Sequence, residues 1–388
     1  MASLYIHIPF CASRCIYCGF YSTLTPKTRT ETIDRYVVAV CKELVEQKNF
    51  VFQDNNETLE TIYFGGGTPS QLAPQHIEKI FQTIEDNYSD KMEKLADMEI
   101  SFECNPDDVT EEFAENMRHF PINRISMGAQ TFSETRLKFL RRRHKANDVK
   151  MAIDRLHRAD IHNISIDLMF GFPEETLQEW EDDIEKAIAL NVEHLSAYSL
   201  MYEEGTPLYR LLEQGKVKDM DEELYRTMYD KLIDRLVAVH YEQYEISNFA
   251  KLINNGSSPY RSRHNSAYWA NQSYIGVGAS AHGYNHQQRR WNVDNLQKYM
   301  EGIENGTPIY EAENIDKPTH FNDTVTTALR TRKGIDLKNL EEPFKTHIIK
   351  ASKLFIERGL LSLGNEHLHL TREGIYVSDA IMSELVWV

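Results

Sequence analysis

The first half of this chain alternates two kinds of segment, and that alternation limits its fold more than any other feature. Short apolar runs at Leu4–Ile8, Thr61–Phe64, Met98–Glu103, Arg124–Met127, Ile164–Met169 and His194–Ser199 read as strands. Amphipathic stretches near Ile33–Glu46, Gln75–Glu85, Glu111–Arg118, Ser133–Leu140, Asp148–Ala159 and Glu179–Ala189 read as the helices that follow them. Strand and helix in strict succession build a parallel sheet covered by helices. Six such units are too few for the eight-stranded ring of a TIM barrel. The pattern therefore predicts an α/β fold, an open, partial (βα)6 barrel of TIM type, with its active site at the C-terminal ends of the strands.

Three cysteines, Cys11, Cys15 and Cys18, stand directly after the first strand. The chain has five cysteines, an odd number, and no apolar signal segment precedes the triplet. Both facts argue against a secreted disulfide framework and for a reducing, cytoplasmic setting. Zinc normally takes four ligands, with paired C-x-x-C spacings or nearby histidines, and the nearest histidine, His7, lies inside the strand. Three thiolates this close suit a [4Fe-4S] cluster. Such a cluster usually takes four, so one iron is left open to another ligand. Cys41, in a helical pattern, and Cys104, beside Glu103, read as small buried residues rather than a fourth ligand.

A length of 388 residues allows two to three domains, and the formal charge of −16 argues against a nucleic-acid-binding surface as the main function. No run of eighteen apolar residues occurs, so no transmembrane segment is expected.

Several other residues carry two readings. Gly65-Gly66-Gly67-Thr68-Pro69, after the second strand, is a turn with a proline stop or a loop shaped for close approach to a ligand. Glu103, Gln130 and Asp167 put polar groups in or near strand ends, where buried polar groups need partners; each is a satisfied core residue as readily as a ligand group. Arg142 lies in Arg141-Arg142-Arg143-His144, which also reads as a solvated basic helix end. Tyr5 and Tyr17 flank the cysteines and equally suit the core.

The run Cys11-Ala12-Ser13-Arg14-Cys15-Ile16-Tyr17-Cys18 resembles the C-x3-C-x2-C signature of the radical S-adenosylmethionine superfamily. Tyr5-Ile6-His7-Ile8-Pro9-Phe10-Cys11 resembles the opening of its oxygen-independent coproporphyrinogen III oxidase branch, and the likeness continues in order along nearly the whole chain. The resemblance implies a [4Fe-4S] cluster on Cys11, Cys15 and Cys18, with S-adenosylmethionine on the open iron. It also implies an external electron donor, whose electron cleaves the sulfonium to a 5′-deoxyadenosyl radical. Gly66, Gly67 and Thr68 match positions that bind the methionine amino end of the cofactor. Glu103, Gln130, Arg142 and Asp167 match positions that hold its adenosine and methionine parts, and Tyr5 and Tyr17 match positions beside cluster and cofactor. Carboxylates suit ribose hydroxyls, and a guanidinium suits a carboxylate.

Two departures narrow the likeness. Where the oxidase has a further cysteine two residues after the third, this chain has Cys18-Gly19-Phe20, and the oxidase's N-terminal extension has no counterpart before Leu4. Both features resemble the haem chaperone subgroup, HemW, as does His264-Asn265-Ser266-Ala267-Tyr268-Trp269, which is similar to its H-N-x-x-Y-W stretch. This implies a chain that binds haem and passes it to an acceptor protein. His264 is the candidate iron ligand, with His282 and His286 as alternatives. On residue type alone, a histidine among aromatics is as readily a hydrogen-bonded structural group. The alternative function is oxidative decarboxylation of coproporphyrinogen III, or another radical reaction on a tetrapyrrole.

The resulting layout is a barrel over residues 1–250, a connecting segment over 251–320 with a surface loop near Asn255–Pro259, and a winged-helix-like domain over 321–388. The last rests on helices followed by an alternating run around Gly364-Asn365 and a final helix. Winged helices often bind DNA, but the acidic balance favours a lid or partner-docking role.

Overall fold

The computed structural model describes every residue except 26–28, 53–56, 93, 254, 255 and 257, and only the backbone of 29, 30 and 96. Part of the expected loop near Asn255–Pro259 thus lies outside the described residues. The six expected strands form β1 (Ala2–Ile8), β2 (Leu59–Gly66), β3 (Glu99–Cys104), β4 (Arg124–Gln130), β5 (Asn163–Phe170) and β6 (His194–Ser199). Each runs parallel to the next. Their connections carry α1 (Arg29–Val51), α2 (Pro74–Tyr88), α3 (Glu111–Met117), α4 (Glu134–Phe139), α5 (Ala146–Arg158) and α6 (Leu177–Ala189). Apolar residues recur along these strands because a helix layer covers one face: Phe64 of β2 packs on Phe81 of α2, and Phe170 of β5 on Trp180 of α6.

The sheet grows beyond these six units at both ends. After α7 (Pro207–Glu213) and α8 (Glu222–Ala238), β7 (Tyr241–Gln243) and β8 (Asn248–Lys251) extend it antiparallel beside β6. After α9 (Arg263–Trp269), β9 (Ser273–Val277) pairs in parallel with the other edge of β1, Ala2 opposite Ser273 through Ile6 opposite Val277. Seven parallel strands result. Beyond β9, β10 (His282–Tyr284), β11 (Gln288–Asn292) and, after α10 (Leu296–Asn305), β12 (Tyr310–Asn314) add an antiparallel extension. The strand order, β12-β11-β10-β9-β1-β2-β3-β4-β5-β6-β8-β7, does not close on itself, so the barrel is open. Most of segment 251–320 is therefore built into the main sheet rather than serving as a connector. Gly276 explains why β9 carries a weak strand signal: a Cβ there would lie 1.8 Å from the His282 carbonyl oxygen, so only glycine lets β10 close against β9.

The C-terminal part packs α11 (Lys317–Ala328), α12 (Phe344–Glu357), α13 (Arg372–Ile375) and α14 (Ser378–Leu385) around a three-stranded sheet of β13 (Ile335–Asp336), β14 (Leu361–Gly364) and β15 (His367–Leu370). Phe321, Val325, Ile348, Leu361, Leu368 and Ile381 are among its core residues. Asn365 and Glu366, both at positive φ (51° and 61°), make the two-residue turn between β14 and β15. This part docks on α8 through Arg372, which donates to Asp230 at 2.5 Å and Asp234 at 2.6 Å.

Candidate functional site

A cavity of about 410 Å³ opens at the C-terminal ends of the parallel strands. Cys11, Cys15 and Cys18 line one side of it, and all three are free thiols. Among the described residues, no three His, Cys, Asp or Glu side chains close on a single metal ion. The cavity also brings together Tyr17, Gly66, Gly67, Thr68, Glu103, Gln130, Arg142 and Asp167 from well-separated parts of the chain. Burial pushes the Cys11 thiol up and the Cys18 thiol to about 11, so thiolates here need a cationic partner.

Each polar group is set by its neighbours. Thr68 donates to Cys11 Sγ at 3.5 Å and accepts from Asn105 Nδ2 at 3.4 Å. Arg142 donates from Nη2 to Asn105 Oδ1 and to the Gly128 carbonyl, both at 2.6 Å, and from Nη1 to Cys15 Sγ at 3.5 Å; its buried Nε has no partner. Within the basic run Arg142 is the residue turned inward, whereas Arg143 pairs with Asp107 and Asp108 near the rim. Glu103 accepts from the Tyr63 hydroxyl at 2.8 Å and the Gly66 amide at 3.2 Å. Gly66 has φ +108°, and a Cβ there would meet the His7 ring at 2.4 Å, so this glycine is required by the loop's own packing. Gln130 also adopts positive φ, at the register shift that ends β4.

Burial raises the Glu103 carboxyl to about 7, and burial likewise raises Asp167 to about 6 against the lowering effect of Ser196 and nearby Arg124. Two carboxyls, a guanidinium and three thiols around one cavity make a donor set that fits a thiolate-held cluster beside a ligand bearing charge and hydroxyls. Sequence reasoning passed over Asn105, which joins Thr68 to Arg142, and Arg124, only 2 % exposed, which faces Glu103 and Asp167 with its Nε unpaired. An arginine opening an otherwise apolar strand was the available signal.

Two expected residues stand elsewhere. Tyr5 lies behind the cavity wall, its ring stacked on Tyr63 with centroids 6.2 Å apart, and its hydroxyl is 3.1 Å from His7 Nδ1. His264 is 1 % exposed and stacks on Tyr63 at 4.9 Å. Its Nδ1 lies 2.8 Å from Thr61 Oγ1 and its Nε2 2.9 Å from the Tyr268 hydroxyl. Each ring nitrogen thus has a hydroxyl within hydrogen-bond distance, so ligation of an iron by His264 would displace Thr61 or Tyr268 from the ring. Burial, with the Arg124 charge behind it, lowers this imidazole to about 3 and keeps it neutral. Glu99 fixes the whole motif by accepting from the backbone N–H groups of Arg263 and His264 at the start of α9.

The radical SAM superfamily model matches residues 5–187, and the HemN C-terminal domain model matches residues 315–377. The fold is similar to that of coproporphyrinogen III oxidase (HemN) from Escherichia coli, with a TM-score of 0.81 and 20% identity, covering 99% of this chain and 90% of that one. These likenesses define the class: a radical SAM α/β fold with a HemN-type C-terminal domain, a class that implies a [4Fe-4S] cluster and S-adenosylmethionine. Heme chaperone HemW of Bacillus subtilis is 33% identical over 387 residues, 98% of each chain. Heme chaperone HemW of Lactococcus lactis is 31% identical over 391 residues, 99% of this chain and 97% of that one. The chain belongs to the HemW family. Among the described residues, no helix is long and apolar enough to cross a membrane.

Proposed function

We propose that this chain is a haem carrier, which binds haem and passes it to an acceptor protein while Cys11, Cys15 and Cys18 hold a [4Fe-4S] cluster. The observation that carries the reading is Phe20. Where the oxidase has a further cysteine, this chain sets an aromatic ring, 72 % exposed, at the rim of the cysteine cavity. The full-length likeness to proteins named haem chaperones supports the same reading. When bound, the cluster and S-adenosylmethionine would supply one-electron cleavage of the sulfonium, with the electron drawn from an external donor.

The protein's part is to bind and orient. Gly66, Gly67 and Thr68 line the cavity and would hold the methionine end, and Arg142, which donates to Cys15, would take a carboxylate. Glu103, Asp167 and Gln130 offer acceptors to hydroxyl or ammonium groups, and Tyr17 closes the cysteine side. A reducing, cytoplasmic setting keeps the three thiols free to ligate. Anaerobic reconstitution tests the reading: haem or coproporphyrinogen III is added separately, with S-adenosylmethionine and a reductant. Stable haem absorption bands without protoporphyrinogen are the expected outcome. Product formation without haem retention would instead make the chain an oxidase.

A further inference from the structure

Strand β4 runs along the cysteine cavity from its mouth into the barrel. Its alternate residues Arg124, Ser126, Gly128 and Gln130 all line the cavity, as the two-residue period of a strand requires. The step from Gln130 to Arg124 is about 20 Å of extended chain, so the cavity has a floor well below its mouth. Of the cavity groups assigned above to the cofactor, the lowest is Glu103, which stands opposite Ser126. Arg124 lies one pleat further down, opposite Ser101.

That floor holds a charge with nothing to balance it. Arg124 is 2 % exposed, and an arginine side chain in a protein does not shed its proton. It nevertheless makes no hydrogen bond or ion pair with any described residue, and its Nε is buried without a partner. Glu103 and Asp167 feel its charge without bonding to it. Arg142, by contrast, spends its donors on Cys15, Asn105 and Gly128. Two more polar groups near Arg124 are idle. The buried Ser101 hydroxyl has no partner, and Asn265, which lines the same cavity from α9, makes a hydrogen bond only through its backbone. A buried charge needs a counter-charge, and the space in front of this one is open cavity, so the counter-charge is one that enters from outside.

We propose that the floor of the cysteine cavity is a second ligand site, below the cofactor, that takes the carboxylate of a small organic acid on the Arg124 guanidinium, with the Asn265 amide as an added donor. The planar fork of an arginine matches the two oxygens of a carboxylate and does not match a spherical anion such as chloride. The inference rests on the cofactor reading in one respect: Arg142 serves the carboxylate of S-adenosylmethionine and leaves Arg124 for another molecule.

Thermal unfolding of the cluster-loaded, full-length protein in sodium acetate, against sodium chloride of the same ionic strength, tests the site. Acetate should raise the melting temperature of the unaltered protein by about 2 °C or more beyond chloride. Arg124→Met should lose that rise, yet melt no lower than the parent in chloride, since an apolar group of similar length replaces an unpaired buried charge without loss. Arg124→Lys, which keeps the charge but not the fork, should keep only part of the acetate effect. S-adenosylmethionine affinity should fall further in Arg142→Met than in Arg124→Met. The reverse order, with no acetate effect, would overturn the inference and give Arg124 to the carboxylate of the cofactor. Acetate no better than chloride in the unaltered protein would overturn it as well, and a lower melting temperature of Arg124→Met would then make this arginine a structural counter-charge to Glu103 and Asp167. An Arg124-dependent acetate effect in a protein that binds no S-adenosylmethionine would uphold the site and sink the cofactor reading.

Discussion

The cysteine cavity and a second cavity of about 500 Å³, lined by Tyr5 on the far side of Tyr63, differ in what their walls are made of. Around the cysteine cavity most polar groups already have protein partners: Glu103 has Tyr63, Thr68 has Asn105, and Arg142 has Gly128, Asn105 and Cys15. Around the second cavity, rings of Tyr5, Phe20, Tyr268, Trp269, Tyr274 and Tyr284 predominate, beside Arg289 and Asp323. The first is a charged cradle, pre-organised for a ligand carrying its own charges, and the second is mainly aromatic. Two of the buried carboxyls with a raised pKa sit in contrasting surroundings. Glu103 lines the first cavity, whereas Glu43 stands behind β9 and β11, accepting from the Gly278 amide, Asn292 Nδ2 and the Tyr299 hydroxyl.

That contrast can be broken or sharpened by measurement, beginning with the largest effect. Cys15→Ser should abolish nearly all cluster-bound iron, read by iron analysis and the visible band of the reconstituted protein. Full retention of the cluster in this variant would take Cys15 out of the ligand set. Next, Gly66→Ala forces a side chain onto His7 at positive φ and should cost about 3 kcal/mol in urea unfolding, since strain and overpacking each contribute at that scale. A stability equal to the parent's would mean that the loop is not braced by its own packing.

The two carboxyls should respond to pH in opposite senses. Burial raises Glu43 from 4.5 to about 7, so the folded state holds this proton more tightly than the unfolded chain does. Its contribution to stability is complete below pH 4.5 and is lost as pH rises through about 7, up to about 3 kcal/mol across that window. Unfolding of Glu43→Gln across the same window should show a flatter slope. Ionised Glu103 is the stronger acceptor for a ligand's hydroxyl or ammonium, so S-adenosylmethionine affinity should fall as pH drops through about 7. Glu103→Gln should bind about tenfold more weakly or worse at pH 8, as loss of a charged acceptor typically costs about 1.5–3 kcal/mol, and should show little of that pH slope. Equal slopes in parent and variant would move the titration to another group. The smallest effect belongs to Arg143→Ala at the rim, where part-exposed ion pairs to Asp107 and Asp108 should contribute no more than about 1 kcal/mol to thermal stability.

The same division explains what the sequence revealed. Strands β1 to β6 were legible because parallel strands buried on both faces read as apolar runs, and their helices alternate with them. Glu103, Gln130 and Asp167 stood out as polar residues at strand ends, the cysteines by their C-x3-C-x2-C spacing and Thr68 by its likeness to a family position, and all of them line one cavity. The extension from β9 to β12 was not. Its strands are short, polar or aromatic, and β9 contains Gly276 for a reason that exists only once β10 lies against it. His264 was singled out by the likeness of its stretch to the H-N-x-x-Y-W pattern; only packing shows that Thr61 and Tyr268 stand at its two ring nitrogens.

Tyr63 touches Glu103 on the cavity side and His264 on the other. If a cofactor held by Glu103 and a cargo held near His264 both bias Tyr63, each changes the affinity of the other by the same factor. Loading of cargo and loading of cofactor would then be reciprocal.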